Sequence, residues 1–111
     1  MVNIMNIELG LKGKVAIVTG SGGGIGREIA IALAKEGVSI VANDIGVSLN
    51  GKGGSRFPAD ETCGLIIQNG GKAVADTNNI TSWNDANKIK ENALDHFGKI
   101  DIVINLSLIH I

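Results

Sequence analysis

A run of glycines near the start of the chain is the feature best suited to chemistry, in the segment TGSGGGIG at residues 19–26. Because glycine has no Cβ, such a run lets the main chain turn sharply and lets a ligand approach the backbone closely. An apolar segment with β-branched residues precedes the glycines at residues 14–19, and a helical pattern follows them at once. A strand that leads through such a turn into a helix directs N–H groups and the positive end of the helix dipole at an anion. The segment therefore predicts a phosphate-binding site built from backbone.

An aspartate follows directly after a second apolar segment, which covers residues 38–43. At the end of a second strand, the Asp44 carboxylate can accept hydrogen bonds from the ribose hydroxyls of a dinucleotide and would repel a 2′-phosphate. No Lys or Arg lies within residues 21–24 or directly after Asp44 to reverse that preference. The two features together predict NAD as the cofactor. Two simpler interpretations stay open: the glycines only permit tight strand–helix packing, and Asp44 only begins a turn.

One helix is predicted after each of these two strands. A polar, glycine-rich loop over residues 45–57 separates the second strand from Pro58, which suits a first helical turn. Gly37 is predicted to end the first helix and residues 69–71 the second. The first helix is predicted from the spacing of Ile25, Ile29, Ala32 and Leu33. The second helix is predicted to bury Cys63, Ile66 and Ile67.

A third strand and a third helix follow. The strand is predicted over residues 72–75, and Ser82 is predicted to cap the helix, with Asp85 three residues later in a variant of the capping box. Trp83 is predicted to pack at the helix start, and Gly98 is predicted to end the helix. The buried stripe of this helix is predicted to consist of Ala86, Ile89, Ala93 and Phe97.

A fourth strand over residues 100–105 completes an alternating order βαβαβαβ. That alternation predicts an α/β fold, because parallel strands need helical crossovers that cover both faces of the sheet. We expect a Rossmann-like doubly wound parallel sheet with strand order 3-2-1-4, truncated after the fourth strand. The cofactor is expected across the carboxyl ends of strands 1 and 4, where the strand order reverses.

Composition narrows the function classes further. The 111 residues suit one small domain, and 10 basic against 11 acidic residues leave a net charge of −1, so we expect neither a nucleic acid nor a membrane as partner. The N-terminus lacks a signal-peptide pattern, which predicts a cytoplasmic protein. The single Cys63 excludes an internal disulfide. Two histidines and one cysteine without ligand spacing predict no metal site.

The glycine segment resembles the TGxxxGIG motif of the short-chain dehydrogenases/reductases. The segment IVANDIGVSLNGKGG, at residues 40–54, resembles the branch of that family that includes hydroxyacyl-CoA dehydrogenase-like enzymes. The resemblance covers about residues 11–105. It implies NAD-dependent transfer of a hydride between nicotinamide and the carbonyl/alcohol pair of a small-molecule substrate, with a 3-hydroxyacyl thioester as the leading substrate class. It also implies that the full-length parent is a homo-oligomer.

The resemblance also implies roles for individual residues. Asp44 would hold the ribose, and Asn105 matches the first asparagine of the motif that ends the family's fourth strand. The adenine contact falls on the stretch Asn78, Asn79 and Ile80, where either asparagine fits. The residues implied to hold the pyrophosphate are Gly20, Gly24, Ile25 and Gly26, with Ser21 and Gly23 lining the turn.

The chain departs from the family after Asn105, where Leu-Ser-Leu replaces the expected Asn-Ala-Gly. The family's catalytic Ser, Tyr and Lys fall beyond this point, and the chain contains no tyrosine, so we assign no catalytic residue and expect no turnover from these 111 residues. A non-catalytic NAD-binding module is the alternative function. A flavodoxin-like FMN-binding fold suits the residues less well, because it needs no Asp after strand 2.

Two segments are therefore expected. Residues 1–105 are predicted to be the N-terminal part of an NAD-binding Rossmann domain, and residues 106–111 a non-native tail. A DNA sequence that encodes this tail can match the mosaic end of a transposon-based sequencing adapter. Reading the DNA tests this hypothesis, against the alternative of a natural divergent terminus.

Overall fold

A computed structural model describes residues 10–46 and 57–106, in which four strands alternate with three helices. The predicted alternation is confirmed, and each strand begins and ends within two residues of its predicted bounds. Most of the predicted loop, residues 47–56, and most of the predicted tail, residues 107–111, lie outside the described residues. The elements are β1 (Val15–Thr19), α1 (Gly24–Lys35), β2 (Ser39–Asn43), α2 (Phe57–Gln68), β3 (Ala73–Asp76), α3 (Trp83–Phe97) and β4 (Ile102–Asn105).

The four strands form one parallel sheet in the order β3-β2-β1-β4, as predicted. Their register aligns the last residue of each strand in a single row: Thr19 lies between Asn43 and Asn105, and Asn43 lies beside Asp76. Each of these four residues is polar, whereas the row before them is apolar. The carboxyl ends of the strands therefore form a polar edge, which we call the carboxyl edge.

Helices cover both faces of the sheet, which confirms the doubly wound arrangement. Side chains alternate along each strand, so that Ala16 and Val18 of β1 face the core under α1 and α2, while Ile17 faces α3. On the α3 side the core is smaller and includes Ile89 and Ala93 of that helix. Among the described residues, no helix combines the length and apolarity that crossing a bilayer requires.

Helix α1 buries fewer apolar side chains than the spacing of its apolar residues predicts. Ala30 is fully buried and Ile29 and Leu33 are half-buried, but Ile25 is 73% exposed and Ala32 is exposed. The helix approaches the sheet through its smallest residues, so the larger side chains at its start face outward. This leaves Ile25 at the surface of the glycine turn.

Two further apolar side chains contradict their predicted burial. Ile67 is 56% exposed, because α2 buries Thr62, Cys63 and Ile66 on the side that meets the sheet and α1. Trp83 is 80% exposed at the first position of α3, so the prediction that it packs is wrong. Position within the helix, rather than residue type, decides burial at both sites.

The predicted helix ends are mostly confirmed. Gly37 and Gly98 follow α1 and α3 with φ of +89° and +79°, the left-handed region that favours glycine. The Ser82 hydroxyl accepts a hydrogen bond from the backbone N–H of Asp85 at 3.4 Å, as expected of an N-cap. The prediction that the Asp85 side chain bonds back to the Ser82 N–H is wrong. The Asp85 carboxylate accepts instead from the backbone N–H of Asn79 at 3.0 Å.

The turn between β1 and α1 depends on a very close backbone approach. An ideal Cβ placed on Gly26 would lie 1.9 Å from the carbonyl oxygen of Gly20 and 3.0 Å from the Cα of Ser21. Both neighbours are backbone atoms, which cannot move away as a flexible side chain could. Only glycine therefore lets the first turn of α1 lie against the end of β1.

We expect Gly26→Ala to lower the free energy of unfolding by about 3 kcal/mol, the upper range for overpacking a rigid site. Gly64→Ala is the matched control, because Gly64 is exposed within α2 and an added Cβ meets no atom within 4 Å. That control should gain up to about 1 kcal/mol from helix propensity. Urea titrations followed by far-UV circular dichroism measure both variants. Equal stabilities for the two would contradict the close approach.

Asp101 joins the start of β4 to the start of β1. Its Oδ2 accepts a hydrogen bond from the backbone N–H of Val15 at 2.9 Å and lies 3.3 Å from the Lys99 ammonium. The Val15 N–H first, and then Lys99, hold the pKa of the Asp101 carboxyl below its ordinary value of 3.8. Because the folded-state pKa is lowered, the charged carboxylate stabilises the fold above the ordinary pKa, and this contribution disappears as the pH falls through the folded-state value.

Asp101→Asn should therefore be less stable than the wild type at neutral pH, with a difference that shrinks as the pH falls from about 5 toward 2. Asp95→Asn removes the same charge from an exposed position on α3 and serves as the control for the loss of one negative charge. Urea midpoints measured over a pH series distinguish the two. A wild-type-like acid profile for Asp101→Asn would show that the carboxylate contributes nothing.

Candidate functional site

The carboxyl edge contains the buried polar side chains of the described residues. Each is at most 3% exposed, and each lies either in the last row of the sheet or against the glycine turn above it. Buried polar groups need hydrogen-bond partners, so their concentration here indicates a hydrogen-bond network at this edge. These residues are Thr19, Ser21, Asn43, Thr62 and Asp76.

The glycine turn is held onto the end of β2 by its first two residues after Gly20. The backbone N–H of Ser21 donates to the Asn43 carbonyl at 3.0 Å, and the Ser21 hydroxyl donates to the same oxygen at 3.1 Å. The backbone N–H of Gly22 donates to the Asp44 carboxylate at 2.8 Å. Gly20, with φ of +71°, begins the turn in the left-handed region. Ser21 thus points inward and fixes the shape of the turn.

The other side of the turn is open and carries N–H groups without protein acceptors. Ideal Cβ atoms on Gly23 and Gly24 would meet nothing within 4 Å. The N-cap Gly23 provides no side-chain hydrogen bond, and the first backbone bond into the helix runs from Arg27 N–H to the Gly23 carbonyl at 3.3 Å. Among the described residues, nothing accepts from the N–H groups of Gly24, Ile25 and Gly26. This first turn therefore suits a diphosphate.

Asp44 lies beside the turn, at the half-buried end of β2. Its Oδ2 accepts from Gly22 N–H and its Oδ1 from Gly46 N–H, both at 2.8 Å. A carboxylate has about four acceptor positions, so two remain for a ligand. An ideal Cβ on Gly22 would lie 2.6 Å from Oδ2, which explains why that position carries no side chain. The predicted proximity of Asp44 and the glycine turn is present.

An arginine and a threonine that sequence reasoning missed lie behind the turn. The Thr62 hydroxyl donates to the Ser21 carbonyl at 2.6 Å and accepts from Arg27 Nε at 2.9 Å. The Arg27 guanidinium also donates to the Gly22 carbonyl and pairs with Glu61 at 3.2 Å. Because Arg27 directly follows the glycine motif, its place in the sequence could have indicated a position beside the turn. No sequence pattern marks Thr62 in this way. Together they join α2 to the turn.

A third missed residue, Asp76, lies on the carboxyl edge at the end of β3. Its Oδ1 accepts from Asn43 Nδ2 and from the backbone N–H of Asn78, both at 2.8 Å. Its Oδ2 accepts from Asn92 Nδ2 of α3 at 2.9 Å. The Asn43 amide also donates to the Asn78 carbonyl at 2.8 Å. Asp76 thereby fixes the chain where it leaves β3.

The three residues implied in adenine binding differ in their surroundings. Asn78 is half-buried, with its amide nitrogen 3.2 Å and 3.1 Å from the two Asp76 carboxylate oxygens. Asn79 is exposed, and its Oδ1 accepts from the N–H and the hydroxyl of Thr81 at 2.9 Å and 2.7 Å. Ile80 is half-buried against the core under α3.

Asn105 lies on the far side of the turn, at the exposed end of β4. Its Oδ1 accepts from the Thr19 hydroxyl at 2.7 Å, and the backbone N–H of Leu106 donates to the Thr19 oxygen at 3.0 Å. Because β1 and β4 are neighbours while β2 lies on the other side of β1, this is where the strand order reverses. In α/β sheets, the crevice at such a point is the usual ligand site.

Chemically, the backbone N–H groups of the turn suit a diphosphate, and the Asp44 carboxylate suits the hydroxyls of a ribose. The polar and apolar residues after β3 suit an adenine. In the part of the chain that the structure describes, no group of three or more His, Cys, Asp or Glu side chains could hold a metal ion.

Comparisons with known proteins identify the family of the chain. The sequence profile of the family described as short chain dehydrogenase matches residues 14–107. The chain is 47% identical over 99 residues to peroxisomal multifunctional enzyme A of Dictyostelium discoideum, a match that covers 89% of this chain and 22% of that protein. It is 43% identical over 98 residues to peroxisomal hydratase-dehydrogenase-epimerase of Neurospora crassa, which covers 88% of this chain and 11% of that protein.

The fold matches a solved structure of 7α-hydroxysteroid dehydrogenase complexed with NADH and 7-oxo glycochenodeoxycholic acid. The TM-score is 0.78 and the identity 39%, over 93% of this chain and 36% of that one. The chain thus spans well under half the length of the proteins that it matches. The profile match, the relatives and the shared sheet order lead to one conclusion: the chain belongs to the short-chain dehydrogenase family, whose members are oxidoreductases.

Proposed function

We propose that this chain is the cofactor-binding part of an NAD-dependent oxidoreductase that transfers a hydride between nicotinamide and the carbonyl/alcohol pair of a small-molecule substrate. The observation that carries the proposal is the open first turn of α1, whose N–H groups at Gly24, Ile25 and Gly26 lack protein acceptors among the described residues. These groups would bind the diphosphate, and Asp44 would bind the ribose. When bound, the nicotinamide ring supplies the hydride acceptor or donor.

The surroundings of Asp44 support NAD over NADP. Its half-buried carboxylate would lie against a 2′-phosphate, and like charges repel strongly where water is partly excluded. Arg27, a cation behind the turn, is paired with Glu61 and bonded to the Gly22 carbonyl, so we do not expect it to offset that repulsion. The solved relative that contains NADH is consistent with this choice.

The remaining contacts divide the cofactor between the two halves of the carboxyl edge. Asn78, Asn79 and Ile80, after β3, would surround the adenine. Asn105, which is held against Thr19 in the crevice between β1 and β4, would lie on the nicotinamide side. This division follows the strand order, because the crevice at the reversal point separates the two halves of the sheet.

We propose a 3-hydroxyacyl thioester as the substrate class. The support is the resemblance in the segment after β2 and the name of the Neurospora relative, which combines a hydratase with a dehydrogenase. A hydratase adds water across a double bond and so produces the hydroxyl that a dehydrogenase oxidises. Homo-oligomerisation of the parent and a cytoplasmic location stay predictions, and the peroxisomal names of two relatives make a peroxisomal location the competing one.

The 111-residue chain is expected to bind NAD without reducing it when a 3-hydroxyacyl thioester is added. Oxidation of the hydroxyl needs a group that takes its proton, and the chain has no tyrosine for this step. A longer gene product that contains the family's Ser, Tyr and Lys should reduce NAD, as followed by nicotinamide absorbance. Binding without reduction by such a longer protein would instead support the non-catalytic NAD-binding module.

We expect the wild type to bind NAD about 100-fold more tightly than NADP, as when a like-charge contact costs on the order of 3 kcal/mol. Asp44→Ala should reduce that ratio to near one, because it removes the repelling charge. Glu28→Gln is the matched control: it removes one exposed negative charge from α1 and should keep the wild-type ratio. Calorimetric titration of each protein with both cofactors gives the ratios. Equal affinities in the wild type would refute the role given to Asp44.

A further inference from the structure

Asp76 presents a buried carboxylate that is bonded only to amides. It is 3% exposed, and within the described part of the chain no Lys, Arg or His pairs with it. Its donors are the Asn43 and Asn92 side chains and both the backbone and the side chain of Asn78. A carboxylate without a cation is costly to bury. The number of N–H groups that converge on Asp76 therefore indicates that a carboxylate is needed at this position.

The carboxylate decides which way the Asn78 amide points. An ionised carboxylate can only accept hydrogen bonds, and an asparagine amide has a donor end and an acceptor end. Next to Asp76, the amide must therefore turn its nitrogen inward, as observed at 3.1 Å and 3.2 Å from the two oxygens. This orientation directs the Asn78 side-chain oxygen, Oδ1, away from Asp76. None of the described residues donates a hydrogen bond to that oxygen.

We propose that Asp76 is a positioning residue for the adenine end of the site: it orients Asn78 so that the Asn78 side-chain oxygen accepts a hydrogen bond from the adenine amino group. The inference rests on the proposed NAD function and deepens it, because it selects Asn78 over Asn79 as the polar adenine contact. The Asn79 side-chain oxygen already accepts two hydrogen bonds from Thr81.

The backbone geometry supports the same role. The bond from the Asn78 N–H to Asp76 Oδ1 closes a turn two residues long, and Asn43 holds the Asn78 carbonyl from the neighbouring strand. Asn43 also accepts the Ser21 N–H through its own carbonyl. One continuous network therefore fixes both the glycine turn and Asn78 relative to the end of β2.

The test compares NAD with its analogue in which hypoxanthine replaces adenine, so that a carbonyl oxygen stands in place of the amino group. In the wild type, the Asn78 oxygen faces that carbonyl, and NAD should bind roughly tenfold more tightly than the analogue, the range of one hydrogen bond and an unpaired acceptor. Asp76→Asn allows the Asn78 amide to turn over and should bring the ratio near one. Asp95→Asn, an exposed charge removal on α3, should keep the wild-type ratio.

A second pair of variants separates positioning from folding. Asp76→Asn places an amide against the Asn92 amide, which weakens the fold; adding Asn92→Asp restores a donor–acceptor pair there. The double variant should regain stability but not the preference for adenine. If the preference returns together with stability, Asp76 acts only through folding and the proposal is overturned.

Asn78→Ala keeps the Asp76 contacts to Asn43 and Asn92 and should also bring the ratio near one. A wild-type ratio in this variant overturns the proposal, even if the position-76 variants do not fold. A wild type that binds NAD but does not distinguish it from the analogue overturns it as well. A wild type that binds neither dinucleotide refutes the proposed function itself.

Discussion

The approach of helix α1 to the end of β1 is the contact on which the rest of the structure depends. Gly26 lies so close to the Gly20 carbonyl that a single methyl group would overlap it, at 1.9 Å. With glycine there, the first turn of the helix meets the carboxyl edge of the sheet, where the Gly22 N–H donates to Asp44 and the first N–H groups of the helix have no acceptor among the described residues. A larger residue would move the helix away and separate those donors from the carboxylate. The geometry of the proposed cofactor site is thus determined by this packing contact.

The polar network beneath the turn makes that packing specific. Thr19, Asn43 and Asp76 pair with their neighbours across the sheet, and Ser21 and Thr62 bond to the turn itself. A buried polar group without a partner costs about 1–3 kcal/mol, so a shift of the turn would leave several groups unpaired at once. The apolar rows below would tolerate such a shift far better, since hydrophobic contacts are non-directional. We therefore expect hydrogen bonds, rather than the core, to fix the position of the turn on this edge.

Sequence reasoning predicted the features that local chemistry determines. The strand order, the Ser82 cap and the Gly98 helix end follow from short patterns, and each is confirmed. The exposure of Ile67 and Trp83 does not follow from such patterns, because it depends on which side of each helix meets the sheet and on the position of the residue within the helix.

The contacts of Asp76 and Thr62 were equally out of reach. Asn43 and Asp76 are 33 residues apart, and Thr62 and Ser21 are 41 apart. Nothing within either segment marks these partners, since an aspartate at a strand end and a threonine in a helix are ordinary residues. Only the parallel register and the packing of α2 on α1 bring them together. The glycine turn and Asp44 of the candidate site could therefore be predicted from the sequence, whereas the residues that hold the turn in place could not.

Asp44 and Asp76 show how one edge gives the same side chain two functions. Both aspartates lie at strand ends and accept backbone N–H groups, so their sequence contexts look alike. Asp44 is half-buried and accepts two hydrogen bonds from the described residues, which leaves acceptor capacity for a ligand. Asp76 is buried and surrounded by amide donors, which leaves none. Burial and hydrogen-bond saturation, rather than residue type, therefore separate the carboxylate that we propose to contact a ligand from the one that we propose to position its neighbours.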